Sequence, residues 1–91
     1  MATSGQPETY FAAALRAVRV HAGLTQEELA LRIGMGPSEI SFFESGRRSP
    51  QLRTMRRVTD GLGVSCWQVM WLAEKFESGA TWEDIAWPPP G

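Results

Sequence analysis

Cysteine occurs once in this chain, at Cys66, and histidine once, at His21. A single thiol excludes an internal disulfide framework and any zinc site built on cysteines, and fits a reduced, intracellular setting. There is no Ser–His–Asp set, no Gly-rich phosphate loop and no cluster of metal-ligand residues, so enzymatic chemistry, cofactor and metal are not expected. No apolar run approaches the ~20 residues that span a bilayer. The first seven residues lack the basic and apolar regions of a secretory signal. The expectation is a soluble, cytoplasmic protein without a membrane role. Acids and bases nearly cancel, with a formal net charge of −1, so bulk charge argues for no polyanionic partner.

What is present is more informative. Between Ser45 and Val58 stand five arginines (Arg47, Arg48, Arg53, Arg56 and Arg57) and no acid. From Thr59 onward there are five acids (Asp60, Glu74, Glu77, Glu83 and Asp84) against Lys75 alone. A basic segment beside an acidic tail is an asymmetry that total charge conceals. At 91 residues the chain has room for one domain.

The stretch Leu24–Gly46 reads as two short helices around a tight turn. Thr25 with Glu28 forms a Thr-x-x-Glu capping box, and Leu29, Ala30 and Ile33 recur on one face of a helix over 26–33. Gly34 suits a left-handed stop. Pro37 restarts the chain at a first helical position, where its missing N–H is no loss. Ile40 and Phe43 give the second helix, over 37–45, its apolar stripe. Helices this short need a surrounding core. Held at an angle, they make a helix-turn-helix.

The flanks supply that core. Residues 1–7 read as a disordered arm. A helix over 8–21 places Phe11, Ala14, Leu15 and Val18 on one face, with His21 in its last turn, favourable to the dipole. A fourth helix, from just after Pro50 to about Leu62, is expected to bury Leu52, Met55 and Val58. Ser65 with Gln68 opens a fifth, unusually apolar helix that carries Cys66 into the core. It ends at Gly79. Thr81 can cap a last short helix over 82–87 before the Pro-rich end. The expectation is an all-α, five-helix domain over 8–78 with a helical extension over 79–91.

Together these residues resemble the phage repressor and Cro-like (Xre-type) helix-turn-helix family from Leu15 to about Val69. The matching residues are Leu15-Arg16 with Arg19, Gly23 through Ala30, Ile33-Gly34, Ile40-Ser41, Glu44 with Gly46-Arg47-Arg48 and Pro50, and Leu62 through Ser65. The resemblance implies a repressor-like regulator whose third helix enters the DNA major groove while the second crosses the backbone. It implies phosphate contacts from Gln26, Gly36, Ser45, Arg47, Arg48 and Arg53, and a structural ion pair between Arg19 and Glu44. Base contacts fall on Pro37, Ser38, Glu39, Ser41 and Phe42. None of these is Arg, Lys, Gln or Asn, so the bidentate pairings to guanine and adenine are missing. Serines, a Glu39 carboxylate facing a cytosine amino group, and an exposed Phe42 on thymine methyls would have to suffice.

The C-terminal third departs from the family minimum. Trp67, Met70, Trp71, Phe76, Trp82 and Trp87 exceed what a small bundle needs to bury. They are expected to form a homodimer interface, which would set two reading helices one DNA turn apart on a palindromic operator. The competing readings are that the tail folds over its own core, or that it docks a second protein. The alternative function is an interaction module of the same fold, antitoxin-like or an adaptor, with little or no DNA binding.

Overall fold

In a computed structural model, residues 7–89 are described and form five α-helices followed by one 3-10 turn. In order these are α1 (Pro7–His21), α2 (Gln26–Ile33), α3 (Pro37–Glu44), α4 (Leu52–Leu62), α5 (Cys66–Glu77) and the turn Trp82–Asp84. Most of the expected N-terminal arm, residues 1–6, and the last two residues lie outside the described chain. Pro7, read as arm, is instead the first residue of α1.

Local chemistry sets the boundaries. Thr25 Oγ1 accepts from the Glu28 backbone N–H at 3.0 Å, and the Glu28 carboxylate accepts from the Thr25 N–H at 2.8 Å. Ser65 and Gln68 repeat the arrangement at the start of α5, with distances of 3.3 and 2.9 Å. Each cap satisfies donors that a helix start would otherwise leave open. Gly34 ends α2 at φ 71°, a left-handed conformation that costs glycine little.

The core draws on every helix. Leu15 and Val18 of α1, Leu29 of α2, Ile40 of α3, Val58 of α4, and Val69 and Leu72 of α5 are all essentially inaccessible to solvent. Burying each such side chain contributes about 1.5–3 kcal/mol. α1 and α5 pack most extensively on each other; α3 is set against α1 and α4 against α5, and α2 packs on α3 and α4.

Three expectations about burial and extent are corrected. Leu52 is 69% exposed, because it occupies the first position of α4, ahead of the turn that reaches the core through Val58, Thr59 and Leu62. Cys66 is only half-buried, at the first position of α5, with its thiol 3.4 Å from Thr59 Oγ1. The terminal helix is a single 3-10 turn. Thr81 donates its N–H and hydroxyl to Asp84 Oδ2 at 2.9 and 3.1 Å, closing the turn, and Ile85 is already extended. Pro88 keeps the preceding Trp87 out of helical conformation.

Candidate nucleic-acid interface

The second helix of the α2–turn–α3 unit is tied at its end to both α1 and α2. Arg19 of α1 reaches across to Glu44 at the end of α3, with Nε 2.6 Å from Oε2 and Nη2 2.9 Å from Oε1. The same guanidinium donates through Nη1 to the Leu24 carbonyl at 2.6 Å. Gln26, the first residue of α2, donates its side-chain amide to Glu44 Oε1 at 3.1 Å. Side-chain exposure is only 10% for Arg19 and 2% for Glu44. Glu44 is therefore saturated by internal donors and turned away from any groove.

The turn itself is clamped by α4. Arg57 Nη2 donates to the Ile33 carbonyl and approaches that of Gly34, satisfying acceptors left open at the end of α2. Arg32 returns the contact, donating to the Gly61 carbonyl at 3.2 Å. Gly61 is required by this closeness. A Cβ there would overlap Ile33 Cγ2, so the two helices could not approach as they do. The roles of Arg32, Arg57 and Gly61 were not anticipated from sequence. A glycine inside a helical pattern was the one available sign of a close backbone approach.

Fixed in this way, α3 presents Pro37, Ser38 and Ser41 to solvent, with Ser45 just beyond its end. Ser38, Ser41, Phe42 and Ser45 share a side by helical spacing, while Ile40 and Phe43 are buried on the other. Two side chains differ from expectation. Glu39 is half-buried and its carboxylate accepts from the Gly36 N–H at 3.3 Å, so it caps its own helix rather than offering an acceptor to a base. With Pro37 contributing no N–H, the Gly36 donor is the one this residue is placed to satisfy. Phe42, read as exposed, is half-buried, with the Arg48 guanidinium 4.7 Å from its ring centroid.

The loop after α3 folds back on that helix. The Phe42 carbonyl accepts from the Arg47 and Arg48 N–H groups at 3.0 and 3.3 Å and from Ser45 Oγ at 3.1 Å. Arg47, Arg48 and Arg53 are exposed, and among the described residues none of them is paired with a carboxylate. At the start of α2 the capping box consumes the Thr25 and Glu28 N–H groups. Those of Gln26 and Glu27 remain directed outward along the dipole, where an anion is favoured. Gly36 precedes α3 as its N-cap, in extended conformation. The arrangement is a neutral ridge flanked by unneutralised guanidinium groups and one open helix start. Such a surface can rest on a polyanion.

The six residues assigned to a dimer interface do not form one free face. Trp71 and Phe76 are half-buried against the core. Trp82 packs on His21 of α1, with centroids 5.4 Å apart, and on Trp87 at 6.1 Å. The tail is thereby folded over its own α1, and the expectation that Trp82 and Trp87 are free for a partner is corrected. Trp67 and Met70 remain 48% and 43% exposed, and Leu52 joins Trp67 in one surface cleft with Cys66.

Among the described residues no helix is long and apolar enough to cross a membrane, and no group of three or more His, Cys, Asp or Glu could hold a metal. A family model described as helix-turn-helix matches residues 15–66. The chain is 42% identical over 48 residues to the uncharacterized HTH-type transcriptional regulator y4dJ of Sinorhizobium fredii, covering 53% of this chain and 62% of that one. It is 37% identical over 54 residues to the cryptic phage CTXphi transcriptional repressor RstR of Vibrio cholerae, covering 59% and 49% respectively. These matches span about half to under two thirds of the relatives' own lengths. Among solved structures, the clp gene regulator ClgR from C. glutamicum is similar at a TM-score of 0.77 and 30% identity, over 81% of this chain and 95% of that one. The restriction-modification controller protein C.AhdI from Aeromonas hydrophila is similar at 0.66 and 27%, over 68% and 94%.

Proposed function

The chain belongs to the phage repressor and Cro-like (Xre-type) helix-turn-helix family of transcriptional regulators, and from that premise we propose that it is a repressor binding a palindromic operator as a homodimer. The observation that carries the DNA-binding part is the exposed ridge of α3 set between Gln26 at the start of α2 and the unpaired Arg47, Arg48 and Arg53. In this reading Ser38, Ser41, Phe42 and Pro37 face base edges. The Gln26 and Gly36 ends of the two helices, Ser45, Arg47 and Arg53 rest on phosphates, with guanidinium groups suited to bidentate contacts. Arg19 and Glu44 touch no DNA and hold α3 at its angle.

The dimer is supported by the exposed apolar group Leu52, Trp67 and Met70, which two-fold association would cover on both protomers at once. Repression follows from occupancy, since a protein seated on an operator excludes other proteins from the same DNA. The domain that performs this is proposed to be residues 8–78, with 79–89 acting as an intramolecular strap rather than a docking site for a second protein.

The test is selection of bound duplexes from random DNA. Recovery of an inverted repeat with half-sites roughly 34–36 Å apart, or 10–10.5 base pairs, is the expected result. Recovery of no enriched sequence, with no retention of DNA at low salt, overturns the reading in favour of an interaction module.

A further inference from the structure

We propose that Arg48, which lies outside the reading helix, reads a guanine edge in the major groove, and that Phe42 is the platform that aims it. The inference rests on the DNA-binding reading above and deepens it. The exposed face of α3 carries Pro37, Ser38, Ser41 and Phe42, and no side chain there can make the paired donor contacts to O6 and N7 that identify guanine. If guanine is read at all, the donors come from a neighbouring segment.

Three geometric facts single out Arg48. Its guanidinium carbon lies 4.7 Å from the Phe42 ring centroid, within the range of a cation–π contact. Phe42 is four residues after Ser38 and adjacent to Ser41, so its ring belongs to the groove-facing side of α3 and carries the guanidinium onto that side. The backbone enforces this return, because the Arg48 N–H donates to the carbonyl of Phe42 itself at 3.3 Å, after Gly46 reverses the chain at φ 78°.

The contact with the ring consumes no hydrogen-bond acceptor, so it leaves the guanidinium donors available. The five N–H donors lie in the guanidinium plane, and among the described residues none from Arg48 donates to a protein acceptor. The other arginines around the unit differ. Arg19 is consumed by Glu44 and Leu24, Arg32 by Gly61, and Arg57 by the end of α2. Arg47 and Arg53 are exposed, and among the described residues neither lies over an aromatic ring, which suits contacts to phosphates of any sequence. Among the described residues, Arg48 is the one arginine of this unit both unspent and held in place. A planar fork fixed before binding loses less freedom on docking than a mobile one. The free edge of Phe42 then lies beside the same base step, so a thymine methyl next to the guanine completes the subsite.

The experiment compares site selections and binding by anisotropy for the wild type, Arg48→Ala, Arg48→Lys, Phe42→Leu and Arg47→Ala, each shown folded by its circular dichroism melt. The expected result is one guanine whose replacement weakens wild-type binding roughly tenfold or more. Arg48→Ala and Phe42→Leu should level that position while preserving preferences elsewhere, and Arg47→Ala should weaken all sequences alike. If Arg48→Ala also weakens all sequences in equal proportion and leaves the guanine preference intact, Arg48 is a phosphate contact and the inference is overturned. If the wild type binds no DNA, the functional reading falls, and this inference with it.

Discussion

Arg19 and Glu44, twenty-five residues apart in sequence, meet in a two-point contact with N–O distances of 2.6 and 2.9 Å, and Glu44 is almost wholly sealed from solvent. The pair joins the first helix of the domain to the end of the proposed reading helix. Its geometry decides where α3 stands, and it holds the Glu44 carboxylate inside the domain, where it cannot repel a phosphate.

Removing either partner leaves the other without compensation in a sheltered site, which costs about 3–5 kcal/mol. Glu44→Ala also deprives Gln26 of its acceptor. Arg19→Ala and Glu44→Ala should each lower the urea midpoint sharply, and the double variant should lose much less than the sum. Additive losses in this cycle would show that the two residues act separately.

Gly61 makes a second long-range demand. Alanine there would gain about 1 kcal/mol of helix propensity. Its Cβ would also collide with Ile33 and crowd Leu29 Cδ1 at 3.4 Å, an overpacking penalty of about 1–3 kcal/mol. The collision is with a branched side chain inside the α2–α4 contact, so it should prevail. Gly61→Ala is expected to lower the melting temperature, and to cost less in an Ile33→Ala background. A rise in melting temperature would mean the helices separate freely.

These two contacts mark what can be read from sequence here and what cannot. Caps are local: Thr25 with Glu28 and Ser65 with Gln68 sit three residues apart, and the left-handed stops at Gly34 and Gly63 follow from one residue type. The all-α architecture was legible for that reason. Leu52, Glu39 and Phe42 were misread because periodicity reports which side of a helix faces inward. It does not report where the core ends, or which free donor or cation lies within reach. The Glu39 carboxylate is diverted by Gly36, and Phe42 is covered by an arginine six residues later. The tail shows the same limit. Its tryptophans declare apolar surface to be buried, and only three dimensions reveal that His21 lies beneath Trp82.

The unpaired arginines predict a salt signature. Arg47→Ala and Arg53→Ala should each weaken binding uniformly across sequences and reduce the slope of log affinity against log salt by about 1. The slopes come from titrations at several salt concentrations on one duplex and on a scrambled control. Unchanged slopes would place both residues away from the backbone.

The tail turn predicts an acid limit. Hydrogen bonds from the Thr81 N–H, and then from its hydroxyl, hold the Asp84 carboxyl below its ordinary value of 3.8. A depressed carboxyl stabilises the folded state above its unfolded value and loses that contribution as pH falls through its folded value. The turn should therefore be insensitive to pH at neutrality and loosen only below about pH 4. Emission from Trp82 and Trp87, in a background with Trp67 and Trp71 replaced by Phe, would report it. Asp84→Asn should abolish the transition, and a transition persisting in that variant would assign it to another group.

Association predicts a division among the aromatic residues. Leu52, Trp67 and Met70 keep large exposed areas, whereas Trp82 is engaged with His21 and Trp87 on its own chain. If the exposed group is the two-fold surface, Trp67→Ser combined with Leu52→Ser should shift sedimentation toward monomer at tens of micromolar without lowering the intrinsic stability of the fold. The same variant should retain weak binding to a single half-site and lose the tighter binding that comes from joining two sites, commonly 10²–10⁴-fold. Trp82→Ser should do the reverse, lowering stability by exposing the end of α1 while leaving association intact. A monomeric wild type would remove the dimer, and a dimer dispersed only by Trp82→Ser would move its interface to the tail.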